Sequence, residues 1–158
     1  MKILVAVLWL ILPALFTLPV YAGSADTVVG IWNTQKKEAK IEIYKCGDKY
    51  CGKLVELTEP NYPAYDDKGM GGLPKVDREN PDPKLRSKPL LGLQIMKGFS
   101  FSGSDTWEGG IIYDAETGSS YRCKMTLLSP NRLKVRGFIG ISLLGGSETW
   151  TREPVNRP

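Results

Sequence analysis

Three cysteines, Cys46, Cys51 and Cys123, are the strongest nucleophiles in this 158-residue chain, and their spacing decides what they can do. A structural zinc site needs four nitrogen or sulfur ligands in a tetrahedron. The chain has no histidine, and Cys123 alone cannot complete a set begun by the other two. Cys46 and Cys51 flank Gly47-Asp48-Lys49-Tyr50, a turn-forming stretch. A hairpin there brings their Cα atoms within the roughly 4.4 to 6.8 Å that a disulfide requires. The pair is therefore expected to be a structural clip. Cys123 is left as a thiol in a strand, with a reactive or intermolecular role as its alternative.

The carboxylates offer less. Asp66 with Asp67, or Glu108 with Asp114, would have to act as an acid and base pair for glycoside cleavage, yet such residues in loops and at strand ends are mostly solvated. A calcium loop starting at Asp66 fails, because Lys68 and Met70 fall where oxygen donors are needed. Without histidine no imidazole-based triad can form, and no glycine-rich phosphate cradle or dinucleotide fingerprint occurs. Asn80, Asp82 and Arg86 make one polar cluster in which Arg86 is placed to fork onto a ligand carboxylate or phosphate. The plainer reading is that Asp82 caps a short turn and Arg86 satisfies loop carbonyls.

The elements that must position these residues show period-two alternation and no sustained helical period. About eight segments read as strands: Val28 to Thr34, Glu38 to Lys45, Tyr50 to Thr58, Leu91 to Phe101, Trp107 to Tyr113, Ser119 to Leu128, Arg132 to Ile139 and Gly146 to Arg152. Short Gly, Pro, Asn and Asp turns join most of them, which makes sequential neighbours antiparallel. Alternation assigns Ile41 and Ile43, Leu93 and Ile95, Trp107, Ile111 and Tyr113, Tyr121, Cys123, Met125 and Leu127, and Leu133, Val135 and Ile139 to the inner face. Phe138 falls on the charged outer face. Strands of this number and length either stack as two sheets or close into a barrel, and the meander-type turns favour an up-and-down barrel, which removes exposed edges. Glycines at Gly98, Gly109, Gly110 and Gly137 fit bends or bulges. One connection breaks the meander: a loop over about 59–90, rich in proline, whose first half looks mobile and whose Asp82-Pro83 step starts a helical turn reaching Arg86.

The chain opens with Met1-Lys2, an apolar run from Ile3 to Leu18 and a small residue, Ala22, at the expected cleavage point. This is the pattern of a signal peptide over 1–22. The run is shorter than the ~20 residues that span a bilayer, and Pro13 and Pro19 interrupt it, so no membrane span is expected in the mature protein. The remaining 23–158, about 136 residues, suit one domain with one core. The formal charge of +4 falls to about +3 without Lys2, a solubility-scale value that lacks the dense positive stripe nucleic acid demands.

Gly30-Ile31-Trp32 opens the first strand and Trp150-Thr151-Arg152 closes the last. In a closed barrel these strands are neighbours, so Arg152 can lie across the Trp32 indole. Here the chain resembles the lipocalin and calycin barrels. A closer resemblance covers nearly all of the mature chain through blocks that occur in order: Gly30-Ile31-Trp32, Ile43-Tyr44-Lys45-Cys46-Gly47-Asp48, Cys51-Gly52-Lys53-Leu54, Asn80-Pro81-Asp82-Pro83-Lys84-Leu85-Arg86, Pro89-Leu90-Leu91-Gly92-Leu93, Trp107-Glu108-Gly109-Gly110, Ile112-Tyr113-Asp114, Leu133-Lys134-Val135-Arg136-Gly137-Phe138 and Trp150-Thr151-Arg152. These resemble an exported bacterial family known as domain of unknown function 2147. The resemblance implies an exported lipocalin-like barrel with no settled activity; Cys123 departs from the family's two-cysteine pattern.

Together these readings predict an all-β, eight-stranded, lipocalin-like protein of the periplasm or the exterior. It is expected to bind a small hydrophobic or amphipathic molecule, without cofactor, metal or catalysis. The expected ligand contacts are Trp107, Ile111, Tyr113, Tyr121, Met125, Leu93, Ile95 and Arg86, with Trp32, Arg152, Cys46 and Cys51 as structural residues. The alternatives are an interaction module using Phe138, Leu143, Leu144 and the loop, and an enzyme centred on Cys123 or on Asp82 with Arg86.

Overall fold

The computed structural model describes residues 24–140 and 145–154. Eight strands follow one another: β1 (Gly30–Asn33), β2 (Ala39–Cys46), β3 (Lys49–Leu57), β4 (Gln94–Gly103), β5 (Thr106–Asp114), β6 (Ser119–Ser129), β7 (Arg132–Phe138) and β8 (Gly145–Arg152). Each pairs antiparallel with the next, and β1 also pairs with β8, so the sheet is a closed barrel in sequence order. The expected eight-stranded up-and-down barrel is what the chain forms. Leu143 and Leu144 lie outside the described residues, as do 1–22.

The inner face is filled near one end. Trp32, Trp107, Phe99, Ile41, Ile43, Met96, Met125 and Leu133 are all essentially inaccessible to solvent. Alternation assigns most of these correctly, but it fails in β4 and β5. Trp107 pairs with Met125 whereas Gly110 pairs with Cys123, so one extra residue stands on β5 between them. Gly109 takes that place with φ +77°, a conformation that disfavours side chains. Gly98 does the same in β4 with φ +82°. The insertions shift the inward row to Met96 and Phe99 on β4 and to Trp107, Gly110 and Ile112 on β5. Consequently Ile95, Ile111 and Tyr113, expected inside, stand on the outer wall. Ile139 is also not inside: β7 stops at Phe138, and Ile139 is 70% exposed.

A 3₁₀ turn, η1 (Ala25–Val28), plugs the filled end. Helix ends leave carbonyls without partners, and here side chains from three strands supply them. Trp107 Nε1 donates to Ala25 O (3.0 Å) and Trp32 Nε1 to Val28 O (2.9 Å). Arg152 donates to Thr27 O (2.5 Å), Val29 O (2.9 Å) and Pro130 O (2.8 Å), with its guanidinium carbon 4.1 Å from the Trp32 ring centre. Tyr50 completes the plug by donating to Asp26 (2.6 Å). A side chain at Gly30 would stand 2.7 Å from the Arg152 guanidinium, which is why glycine precedes the tryptophan by two.

The Cys46–Cys51 disulfide forms across the β2–β3 hairpin with Cα atoms 5.9 Å apart. Cys123 is buried on the inner face of β6. The connection from β3 to β4 is folded, including its first half, where mobility is expected from sequence. Asp66 accepts from the Met70 and Lys68 amides and from Arg78 (2.7 Å), and Arg78 stacks 4.2 Å from the Tyr62 ring centre. The Asp82 side chain caps a 3₁₀ turn, η2 (Pro83–Leu85), through the Lys84 amide.

Candidate functional site

The long connection packs on the outside of the barrel wall. Its anchor is Asp77, the one charged residue among the described residues that is fully buried. A buried carboxylate needs hydrogen-bond partners, and Asp77 has two: Tyr113 Oη donates to one oxygen (2.6 Å) and Asn80 Nδ2 to the other (2.6 Å). The loop backbone adds Asp77 N donating to Lys88 O. Burial, and then the Asp77 carboxylate, push the Tyr113 phenol up to about 12, so it stays a neutral donor.

Between this loop and the wall lies a hollow of about 300 Å³. The loop contributes Pro81, Leu85 and Lys88 beside Asp77 and Asn80, and the wall contributes Ile95, Lys97, Ile111, Tyr113 and Ser120, with Leu93 and Gln94 at the approach to β4. Five of these residues are apolar and seven polar, so the hollow offers a mixed surface on which the Asp77, Asn80 and Tyr113 groups are fixed by one another.

Of the ligand contacts expected from sequence, the structure brings four together here: Leu93, Ile95, Ile111 and Tyr113. They meet on the outside of the barrel. Trp107 and Met125 are not surface-accessible; they belong to the packed core. Tyr121 is on the inner face, paired with Ile112 and half-buried. Arg86 does not line the hollow, because its Nε donates to Asn80 O (2.8 Å) and so closes the turn around Asp82. Sequence reasoning misses Asp77, Lys88 and Lys97. Nothing local marks Asp77 and Lys88, since burial and exposure in a loop are set by what it packs against, and Lys97 lies on β4, where the expected face assignment fails.

The reactive groups are restrained. Burial pushes the Cys123 thiol up to about 12, which removes the thiolate needed for nucleophilic chemistry. Glu108 is paired with Lys124 (2.7 Å), and Asp114 holds the Glu116 amide and the Thr117 hydroxyl in the β5–β6 turn. Asp66, held below the usual carboxylate range by Arg78 and the Met70 amide, serves the loop.

A family model described as "Uncharacterized protein conserved in bacteria (DUF2147)" matches residues 30–152. The chain belongs to this DUF2147 family. The matched stretch runs from the glycine of Gly30-Ile31-Trp32 to Arg152, so it takes in the barrel, the loop and the β1–β8 seam. Comparison with curated proteins finds no match. Among solved structures the DUF2147 barrel is similar to HP1028 of the human pathogen Helicobacter pylori, which is described as belonging to the lipocalin family. The TM-score is 0.66 with 22% identity over 81% of this chain and 84% of that one. At that identity the likeness is one of fold.

Proposed function

We propose that this protein is an exported, lipocalin-like binding protein for a small, partly apolar molecule. The molecule is held between the long loop and the outer wall of the barrel, and the protein performs no chemistry on it. The observation that carries this reading is the hollow of about 300 Å³, at the lower end of the ~300 to 1,000 Å³ usual for ligand sites. Leu93, Ile95, Ile111 and Leu85 supply its apolar surface, and the neutral Tyr113 hydroxyl fixed on Asp77 supplies an oriented polar group. A lumenal site has less support, because Trp107, Met125 and Phe99 occupy the space a ligand would need. Export is supported by the disulfide, a bond that persists in oxidising compartments. Among the described residues no helix is long and apolar enough to cross a membrane.

Native mass spectrometry of protein purified from the envelope, followed by amide and methyl shift mapping with the bound species, tests the reading. Shifts are expected at Ile95, Ile111 and Tyr113. Shifts confined to Ile112 and Tyr121 would move the site into the lumen, and the absence of any bound small molecule would overturn the reading. One observation favours an interaction surface as the second reading: Phe138 stands on the outer wall beside Arg122, where a partner protein would meet it.

A further inference from the structure

The hollow under the loop has a neighbour on the far side of Ile111. A second hollow, of about 340 Å³, shares that residue and is lined otherwise by Gly109, Gly110, Arg122 and Phe138. The strand register explains why the two adjoin. Lys97 pairs with Ile111, Ile111 with Arg122, and Arg122 with Phe138, so one row crosses four strands of the outer wall as cation, aliphatic, cation, aromatic. Strands lie ~4.8 Å apart, which puts the Lys97 and Arg122 Cα atoms ~10 Å from each other. Two such long side chains can converge on a single group above Ile111.

Among the described residues, many cations of the wall are matched by carboxylates, whereas those in this groove, like Arg132 and Lys134 on β7, are not. Lys40 is matched by Glu56 and Glu153, Lys45 by Asp26, Lys53 by Glu42 and Lys124 by Glu108. Lys97, Arg122 and the loop residue Lys88 are all exposed, and among the described residues none has a carboxylate within ion-pair distance. Asp77 is the one carboxylate in the groove, and both its oxygens are already taken by Tyr113 and Asn80. Unmatched cations flanking an apolar strip favour a ligand that carries one negative group and one greasy chain.

We propose that the two adjoining hollows together bind a single-chain anionic amphiphile. Its carboxylate or phosphate head sits between Lys97 and Arg122, and its chain lies over Ile111 and Ile95 toward Leu93, with Lys88 at the loop rim. This rests on the loop hollow being the binding site and adds the sign of the ligand's charge.

Titration calorimetry at low salt, with the protein lacking its leader and each probe below its micelle concentration, tests it. The probes are dodecanoate, dodecyl phosphate, dodecyltrimethylammonium, dodecyl maltoside and inorganic phosphate. The two anionic amphiphiles are expected to bind at least about tenfold more tightly than the cationic and neutral ones, with inorganic phosphate alone too weak to compete. The double variant Lys97→Glu with Arg122→Glu is expected to erase the preference while leaving the melting temperature unchanged, since both side chains are exposed. Lys97→Arg with Arg122→Lys should keep it. Equal binding of cationic or neutral probes, or full affinity in the charge-reversed variant, overturns the anionic assignment but leaves the loop hollow as a site. Inorganic phosphate binding as well as dodecyl phosphate overturns the role of the chain. No binding by any probe overturns both.

Discussion

A guanidinium that donates to three carbonyls while lying on an indole cannot be replaced by an ammonium. Lysine at position 152 can reach one of Thr27, Val29 and Pro130 at a time and has no planar face for Trp32. Arg152→Lys should therefore cost roughly 2 to 3 kcal/mol in urea unfolding, mostly from carbonyls left without donors. This interaction is legible in the sequence, because Gly30-Ile31-Trp32 and Trp150-Thr151-Arg152 sit at opposite ends of a strand pattern that must close. Cys123 is the contrasting case. Its fate is undecided by sequence, and the packed interior settles it: a sealed thiol with its pKa pushed up to about 12. Iodoacetamide at pH 8 should leave it unmodified in folded protein and label it after denaturation. Rapid labelling of native protein would contradict the burial. Asp77 is illegible altogether, since nothing around Lys75-Val76-Asp77-Arg78 tells which acid will be swallowed when the loop lands on the wall.

At the level of strands, the paired irregularities in β4 and β5 decide which side chains make a core and which make a site. The glycines signal that a bulge is near, but not which of Gly109 and Gly110 takes the extra place, and a one-residue slip turns every later side chain to the opposite face. That is why Ile95, Ile111 and Tyr113 are recognisable as a set and yet assigned to the wrong side. A methyl group added at Gly110 would lie 2.4 Å from the Phe99 ring, whereas one at Gly137 would meet Ile112 and Tyr121 at an ordinary 3.7 Å. Gly110→Ala should destabilise by about 2 kcal/mol or more through overpacking. Gly137→Ala should stay within about 0.5 kcal/mol of the wild type. Thermal melts of the two variants make the comparison.

The loop and the plug also have an alkaline limit. Tyr50 and Tyr113 both have phenol pKa values raised from 10.0 to about 12, first by burial and then by a carboxylate partner. A group whose folded pKa lies above its unfolded value stabilises fully below the unfolded value and ceases to do so as pH climbs through the folded one. Melting temperature should accordingly fall between pH 10 and about 12, and the fall should be shallower in a Tyr50→Phe, Tyr113→Phe double variant, which has no phenol to ionise. An equally steep decline in that variant would place the cause elsewhere.

For the molecule as a whole, the barrel is legible because three independent signals agree: alternation along about eight segments, short turns between them, and a Trp and Arg pair that only closure brings together. The hollow is not, because it is made between a loop and an outer wall, and no periodicity reports on how a proline-rich connection packs. The disulfide is a supplement to this architecture. It spans only a tight hairpin whose strands are already paired, so the chain-entropy gain is about 2 kcal/mol. A Cys46→Ser, Cys51→Ser variant should keep the far-ultraviolet spectrum of the barrel and melt a few degrees lower. Loss of the fold would mean that the clip, not the packed interior, holds the molecule together.

The short β1–β8 seam has a consequence for the order in which the ring is completed. Trp32 and Asn33 can pair with Ile41 and Lys40 as soon as β2 is present, but their other edge must wait for Thr151 and Arg152, so a chain whose last strand has not arrived keeps one side of β1 open. Until Arg152 arrives, the carbonyls of Thr27 and Val29 lack their donor. The molecule behaves like a hoop whose buckle is fitted last, its ring left open until the whole strand series is present.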